Sequence, residues 1–457
     1  MVPITLLKLV ENNSFLSTLS SLYHGNGFEL YLVGGAVRDG ILDIPTNDFD
    51  FTTNATPEES IELLKKNNYK TTEVGKAFGT IELYDQERVV HITTFRKDTY
   101  ETDSRNPEIE KATNLVTDLS RRDFTVNSIA YSLETNELID PFSGLKDLAS
   151  GTISTPDDPI ISFSDDPLRM LRVCRFASTH GFSPDNKTYI AMKENIERIK
   201  IITKERIRDE INKLLVGKSP SMGIRTLVES GLSSYIIPEI NELKIEVDPK
   251  HHHKDVYEHT LAVLDGVPPK LILRMGALLH DIAKPNTKGI ENGKVHFRHH
   301  EVVGARMTKK ILKELKYDNK TIEDIALLVE QHLRPHTFKM GWTDSAVRRY
   351  IVDAGHMLED LNELVRADVT TKNKVKAKEI YENLDEMEKR IEEVKAKEEL
   401  SKIRPALSGD EVMEHFNIQP GPKVGVIMKA LYEQRINDGE VSKEDALKLA
   451  EETYKNL

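Results

Sequence analysis

The apolar pattern of this chain changes period about a third of the way along, and that change limits the folds open to it. Up to about residue 164, short strand-like runs (29–33, 79–84 and 89–95) alternate with helical ones such as 57–67, which reads as a mixed arrangement of strands and helices. Beyond Ser164 the strand signals fade, and apolar residues recur at helical spacing with few breakers. The expected fold class is therefore α+β, a mixed-sheet head followed by a mostly α-helical neck, body and C-terminal part. At 457 residues the chain exceeds what one hydrophobic core usually supports, so several domains are expected. Joints are expected at the Pro-Asp-Asp-Pro stretch of 156–159, at the turn 247–250, and at Arg404-Pro405 after a long charged helix beginning at Lys374. These joints suggest a head over 1–152, a helical neck and body over 153–248, a third domain over 249–371 and a helical tail over 372–457.

A net charge of −12 argues against a protein that coats nucleic acid non-specifically, because that mode depends on many Lys and Arg contacts to phosphate. A local basic strip remains open: residues 191–218 carry more cations than anions, although such mixed charge is more often a solvated helix face. The single cysteine, Cys174, cannot form an internal disulfide, which fits a reducing compartment. The N-terminal residues 1–8 do not read as a signal peptide, and no stretch is long and uncharged enough to span a bilayer. The expected location is cytoplasmic, with no membrane partner.

The first chemical motif is Leu32-Val33-Gly34-Gly35-Ala36-Val37-Arg38-Asp39, a strand that turns into a helix start and can cradle phosphate. Paired glycines let backbone approach a triphosphate, and Arg38 is near enough to help neutralise it. Asn47-Asp48-Phe49-Asp50-Phe51-Thr52 follows. Asp48 and Asp50, two apart on a strand-like run, would face the same side and could share a divalent cation, the carboxylate pair that two-metal transfer requires. Either fragment alone is common as a turn or as surface polarity; their combination is far more specific.

Together these blocks resemble the nucleotidyltransferase superfamily, and in particular the class II tRNA nucleotidyltransferases and bacterial poly(A) polymerases. Arg121-Arg122-Asp123-Phe124-Thr125-Val126-Asn127 matches that family's RRDFTxN motif. The run from Phe95-Arg96-Lys97-Asp98 through Tyr100, Asp103, Arg105 and Pro107 resembles its flexible loop, and Asp140-Pro141-Phe142-Ser143-Gly144 resembles the close of its head. Asp165-Asp166-Pro167-Leu168-Arg169 stands where the family has EDxxR, whose Asp and Arg read the incoming base in place of a nucleic-acid template. Here those two are Asp166 and Arg169, while Asp165 replaces the family's Glu and is one methylene shorter. His91 stands where many relatives carry a carboxylate, so no third metal-binding acid is assigned. The helix containing this block is expected to be capped by Ser164 with Pro167 in its first turn, placing Asp166, Arg169, Arg172 and Arg175 along one slowly drifting face. Lys204 to Glu210 resembles a fifth motif that braces the neck helices. The resemblance covers residues 30–240 and extends weakly to 407–410 and 420–425.

A second constellation gathers histidines and acids between 251 and 370, among them the run His251-His252-His253, expected as a loop. His259 lies in Tyr257-Glu258-His259-Thr260, and His280-Asp281 lies on an apolar helix, where a buried imidazole and carboxylate need partners that a divalent cation supplies. The pattern resembles the HD phosphohydrolase domain, which implies His259, His280, Asp281 and Asp368 as the ligand set. His300 and His332 could serve a second ion or contact substrate. The ion could be Mn2+, Ni2+ or Mg2+; the alternative is a retained helical fold that helps hold tRNA but no longer hydrolyses anything, and the intact ligand set favours activity.

The resemblance implies template-independent addition of CCA to the tRNA 3′ end from CTP and ATP. Mg2+ would sit on Asp48 and Asp50; Gly35, Arg38, Arg122, Arg172 and Arg175 would hold triphosphate or sugar, and Asn127 would support the site. Rival readings are a poly(A) polymerase, an enzyme adding only A or only CC, and, from another class, an HD phosphohydrolase carrying a degraded RNA-binding head. Loop 96–107 argues against the CC-only form, since in the family it accompanies A addition.

Overall fold

The computed structural model describes all residues except 1, 74, 76–78, 86–87, 100–107, 246–254, 293, 372 and 398–403. The tip of the expected loop (Tyr100, Asp103, Arg105, Pro107), the 247–250 turn and the run His251 to His253 therefore lie outside the described residues. The chain divides into two compact units, Met1–Asn241 and Glu242–Leu457.

The first unit is built on a seven-stranded sheet. In chain order its strands are β1 (Leu30–Val33), β2 (Phe49–Thr53), β3 (Lys70–Thr72), β4 (Thr80–Asp85) and β5 (Arg88–Thr94); a separate hairpin of β6 (Arg96–Thr99) and β7 (Glu108–Lys111) intervenes before β8 (Ala130–Ser132) and β9 (Glu137–Ile139). The sheet order is β3-β4-β5-β2-β1-β8-β9, and only β2 and β5 run parallel. Central strand β2 therefore carries Asp50 between Val33 of β1 and His91 of β5. Because strand side chains alternate, Phe49 and Phe51 bury in the core while Asp50 and Thr52 share the opposite face. The expected strands and the helix at Pro57–Lys66 are all present, the helix opened by a capping box between Thr56 and Glu59.

The Gly34-Gly35 turn joins β1 to the short helix α1 (Gly35–Ile41). Gly34 has φ 71 and ψ −134, a conformation that excludes a Cβ without strain. Helix α2 (Leu115–Ser120) covers the sheet, with Leu115 and Leu119 in a core cluster with Val33, Phe95 and Ala130. The segment 140–144 closes the head against the RRDFTVN segment: Asp140 accepts the Gly144 and Leu145 N–H groups, and Thr125 donates its hydroxyl to Asp147 at 2.6 Å. A Cβ on Gly144 would lie 2.2 Å from the Thr125 carbonyl oxygen, so no side chain fits there. Gly144→Ala is expected to destabilise the unit by about 1–3 kcal/mol, the cost of overpacking, read as a lowered midpoint in denaturant; an unchanged midpoint would refute this close approach.

One helix boundary differs from expectation. Ser164 does not cap the helix that carries the arginines; it lies inside α3 (Pro159–Asp165), which is opened by Asp158. Asp166 is extended at φ −129, as suits a residue before proline, and its Oδ1 accepts the Leu168 N–H at the start of α4 (Leu168–His180). The chain thus breaks at Asp166 rather than two residues earlier. Helix α5 (Lys204–Leu215) packs on α4 and buries Ile207, Ile211 and Leu214.

The second unit is mostly helical. Helices α6 (Val256–Gly266), α7 (Leu271–Leu279), α8 (His300–Glu314), α9 (Asn319–Gln331) and α10 (Leu358–Ala367) surround the histidines, and a hairpin of 288–291 with 294–297, not foreseen from the sequence, leads into α8. The long charged helix spans Lys374–Lys397, and three further helices close around Leu407, Val412, Ile427 and Leu431.

Candidate active site and metal clusters

On the polar face of the head, Asp48, Asp50 and His91 bring one donor atom each within 4.8 Å of one another. His91 Nδ1 is 3.4 Å from Asp50 Oδ1, and that contact raises the imidazole pKa. Burial and the neighbouring Asp50 raise the Asp48 carboxyl. Two crowded carboxylates with a nitrogen beside them suit a divalent cation, which would relieve their mutual repulsion. His91 was left unassigned in the sequence; its signal was its place on β5, in register with Asp50.

The arginines are fixed by buried acids. Asp118, on α2 and fully buried, accepts from Thr52 at 3.0 Å, from Arg121 at 2.9 and 2.8 Å and from Arg122 at 3.2 Å. Burial alone would raise its carboxyl, but Arg122 and Arg121 hold it below the usual carboxylate range. Arg122 is thereby placed beside Gly34: a Cβ built there would meet Arg122 Nη1 at 3.2 Å and Asp50 Oδ2 at 3.6 Å. Asp118 was not singled out in the sequence, although its spacing of three and four from the Arg pair on a helix was a usable signal. Arg121 also reaches Asp98, at the root of the loop.

Asp123 performs the same task one layer on. It accepts from Asn127 at 2.9 Å and pairs with Arg172 at 2.6 Å, while Asn127 Oδ1 accepts from Arg38 at 2.7 Å. Arg38 and Arg175 stack on the Phe176 ring at 5.1 and 5.2 Å, and Arg175 pairs with buried Glu210 of α5. Gly35 lies next to Arg38. The structure thus connects Arg38, Asn127, Arg172 and Arg175 in one network.

Arg169 donates to Ser162 at 2.7 Å and to the Arg121 carbonyl at 2.6 Å, which fixes its guanidinium. Asp166 Oδ2 lies 3.9 Å from Arg206 of α5, so the fifth motif reaches the paired residue as well as the helix. Burial raises the Asp165 carboxyl. Asp165, Arg169, Lys97 and Asp98 line one pocket of about 140 Å³, joining the loop root to the Asp166–Arg169 segment.

In the second unit, His259, His280 and Asp368 form one cluster, and Asp281, His300 and His332 a second. His259 Nε2 is 3.2 Å from His280 Nε2, 3.3 Å from Asp281 Oδ2 and 3.0 Å from Asp368 Oδ1. Burial pulls the His259 pKa down, but Asp281 and Asp368 raise it to about 9. Burial beside His280 pushes His332 down to about 3. His280 donates Nδ1–H to the Ala277 carbonyl at 2.8 Å, leaving Nε2 directed at the cluster, as metal-binding histidines require. The expected set His259, His280, Asp281 and Asp368 is thus brought together. An open cavity of about 740 Å³ reaches His259, His336 and Asp368 and is flanked by Lys284 and Lys376.

Residues 30–154 match the model of the Poly A polymerase head domain, 181–244 that of the probable RNA and SrmB-binding site of polymerase A, and 251–371 that of the HD domain. An A-adding tRNA nucleotidyltransferase of Deinococcus radiodurans is 31% identical over 418 residues, 88% of this chain and 91% of that protein. A CCA-adding enzyme of Geobacillus sp. (strain WCH70) is 29% identical over 417 residues, 91% of this chain and 90% of that protein. The fold is similar to that of the Bacillus stearothermophilus CCA-adding enzyme in complex with CTP, with a TM-score of 0.70 at 23% identity, covering 96% and 97% of the two chains.

Proposed function

Since the chain belongs to the family of class II tRNA nucleotidyltransferases and bacterial poly(A) polymerases, we propose that it adds CCA to the tRNA 3′ end from CTP and ATP in the cytoplasm. The observation that carries this reading is the placement of Arg122 across Gly34 from Asp50, which puts a fixed cation beside paired carboxylates. Asp48 and Asp50 would hold Mg2+, with His91 as a further donor; the bound ion would activate the attacking hydroxyl and stabilise the leaving oxygen. Arg38, Arg122, Arg172 and Arg175 hold the triphosphate, Gly35 gives its backbone room, and Asn127 orients Arg38. The tRNA 3′ hydroxyl attacks the α-phosphate, a new phosphodiester forms, and pyrophosphate leaves. Asp166 and Arg169 select the base by hydrogen bonds to its edge.

A nitrogen donor in place of an oxygen shifts preference away from Mg2+. His91→Asp is therefore expected to lower the Mg2+ concentration for half-maximal addition several-fold while changing the Mn2+ dependence less. Equal shifts for both ions would remove His91 from the site.

Addition of A alone is the second reading, favoured by the Deinococcus relative, which is as similar to this chain as the CCA-adding one. Incubation with tRNA ending at the discriminator base and with tRNA ending in CC, supplying CTP and ATP separately and together, decides. Ordered addition stopping at CCA supports the first reading; A added only to the CC end supports the second; long adenylate tails on any RNA would make it a poly(A) polymerase. The HD domain would hold a divalent ion on His259, His280, Asp281 and Asp368. Lys376 and Lys284 line its cavity, the latter donating to Asp281 at 2.6 Å, and two cations there suit a phosphate ester, so phosphohydrolysis is its proposed chemistry.

A further inference from the structure

Helix α4 ends at His180, and Gly181 closes it in the left-handed region at φ 72. The imidazole stacks on Phe176, one turn back, at 5.1 Å and 22°, and lies 5.3 Å from the Phe182 ring. Arg38 and Arg175 rest on the same Phe176 ring, so His180 shares a wall with two of the arginines assigned to the triphosphate. Its Nε2 faces Asp39 Oδ1 at 3.7 Å, with side-chain exposures of 11% for His180 and 16% for Asp39.

Asp39 is the clamp on Arg38. It accepts from Arg38 Nε at 2.8 Å and from Nη2 at 3.0 Å, while Arg38 Nη1 donates to Asn127 at 2.7 Å. A guanidinium has five N–H groups, so three are held by the protein and two are left for an anion. Where those two point depends on how Asp39 is held. Burial would raise the Asp39 carboxyl, but His180 and Arg38 keep it below the usual carboxylate range. On the other side of the imidazole, Thr179 gives its hydroxyl proton to the Arg175 carbonyl at 3.0 Å and so accepts from His180 Nδ1–H at 2.7 Å. The opposite nitrogen is thereby turned to Asp39. A carboxylate only accepts, so the contact attracts when Nε2 also carries a proton, the cationic form that the last carbonyls of α4 favour.

We infer that His180 is a positioning residue for nucleotide binding: it steadies Asp39 and, through it, the two Arg38 N–H groups offered to the triphosphate. This rests on the proposed role of Arg38. The contact ties α1, which follows the Gly34-Gly35 turn, to the far end of the helix that carries Arg169, Arg172 and Arg175. A packing role alone would lower stability and kcat. A loosened Arg38 instead weakens the hold on the triphosphate in ground state and transition state alike, which shows in KM.

The test measures ATP incorporation into CC-ended tRNA by the full chain. His180→Phe, with His180→Leu as a second variant, removes both nitrogens and keeps an apolar group against Phe176, the fold being checked by thermal melting. The KM for ATP should rise about tenfold, the loss of one coupled contact, with kcat within about twofold and the KM for tRNA unchanged. His180→Gln, which presents an amide N–H in place of Nε2, should recover most of that rise. Asp39→Asn should also raise the KM for ATP, and adding His180→Phe to it should cost little more, because the two act through one contact. Additive losses would overturn the link through Asp39, as would a fall in kcat with KM unmoved. Arg38→Lys separates the two levels. If it raises the KM for ATP while the folded His180 variants do not, the inference falls and the role of Arg38 stands; if neither moves KM, both fall.

Discussion

Asp48→Ala and Asp50→Ala are each expected to reduce nucleotide addition at least about a thousandfold, about 4 kcal/mol of activation free energy, without loss of stability. The activity loss follows from removing half of the only carboxylate pair in the head cluster among the described residues. Stability should hold because the Asp48 side chain is largely exposed, and partial desolvation together with the neighbouring Asp50 raises its carboxyl, so its ionised form at neutral pH costs the folded state free energy. Incorporation of labelled ATP into CC-ended tRNA, paired with thermal melts, checks both halves. A folded Asp48→Ala protein with near-normal incorporation would remove this residue from the chemistry.

Asp118→Asn should show the converse, a large stability loss at a residue that touches no substrate. It would leave Arg121 and Arg122 without their shared buried carboxylate, and breaking such a pair costs about 3–5 kcal/mol. The pH dependence gives a second readout. Because the arginines lower the Asp118 pKa in the folded state, its contribution is complete above the ordinary carboxylate range. It is lost as pH falls through the lowered folded value. The variant should lack that part of the acid slope, so denaturant midpoints converge with those of the parent on acidification. Parallel slopes would mean that Asp118 carries no charge in the fold.

The parts of the head that were legible in the sequence are those where local pattern and chemistry coincide. The β1 turn at Gly34, the alternation around Asp48 and Asp50, and the RRDFTVN block all announce themselves over a few residues. The positioning acids were harder to see because their meaning is tertiary. Asp118 looks like an ordinary helical aspartate until Thr52 of β2 and the arginines of the next turn close on it. His91 acquires a role only through its parallel register with Asp50, which no local spacing encodes. The boundary at Asp166 failed for another reason: two candidate starts, Ser164 and the Asp166-Pro167 step, lay within three residues. The restriction on the residue before proline decided between them. In the second unit the histidines were visible as a cluster, but their grouping around the two oxygens of Asp281 was not.

His259 and Thr370, 111 residues apart, join through the His259 Nδ1 atom, and between them His280, His300, His332 and Asp368 sit at the ends of four different helices. Such a centre has a high contact order, so it cannot form until the intervening helices have docked. An ion there would be captured at a late stage of folding and would resist release until that docking reverses. The rate of metal exchange would then report the opening of the whole helical assembly rather than the fraying of any single helix.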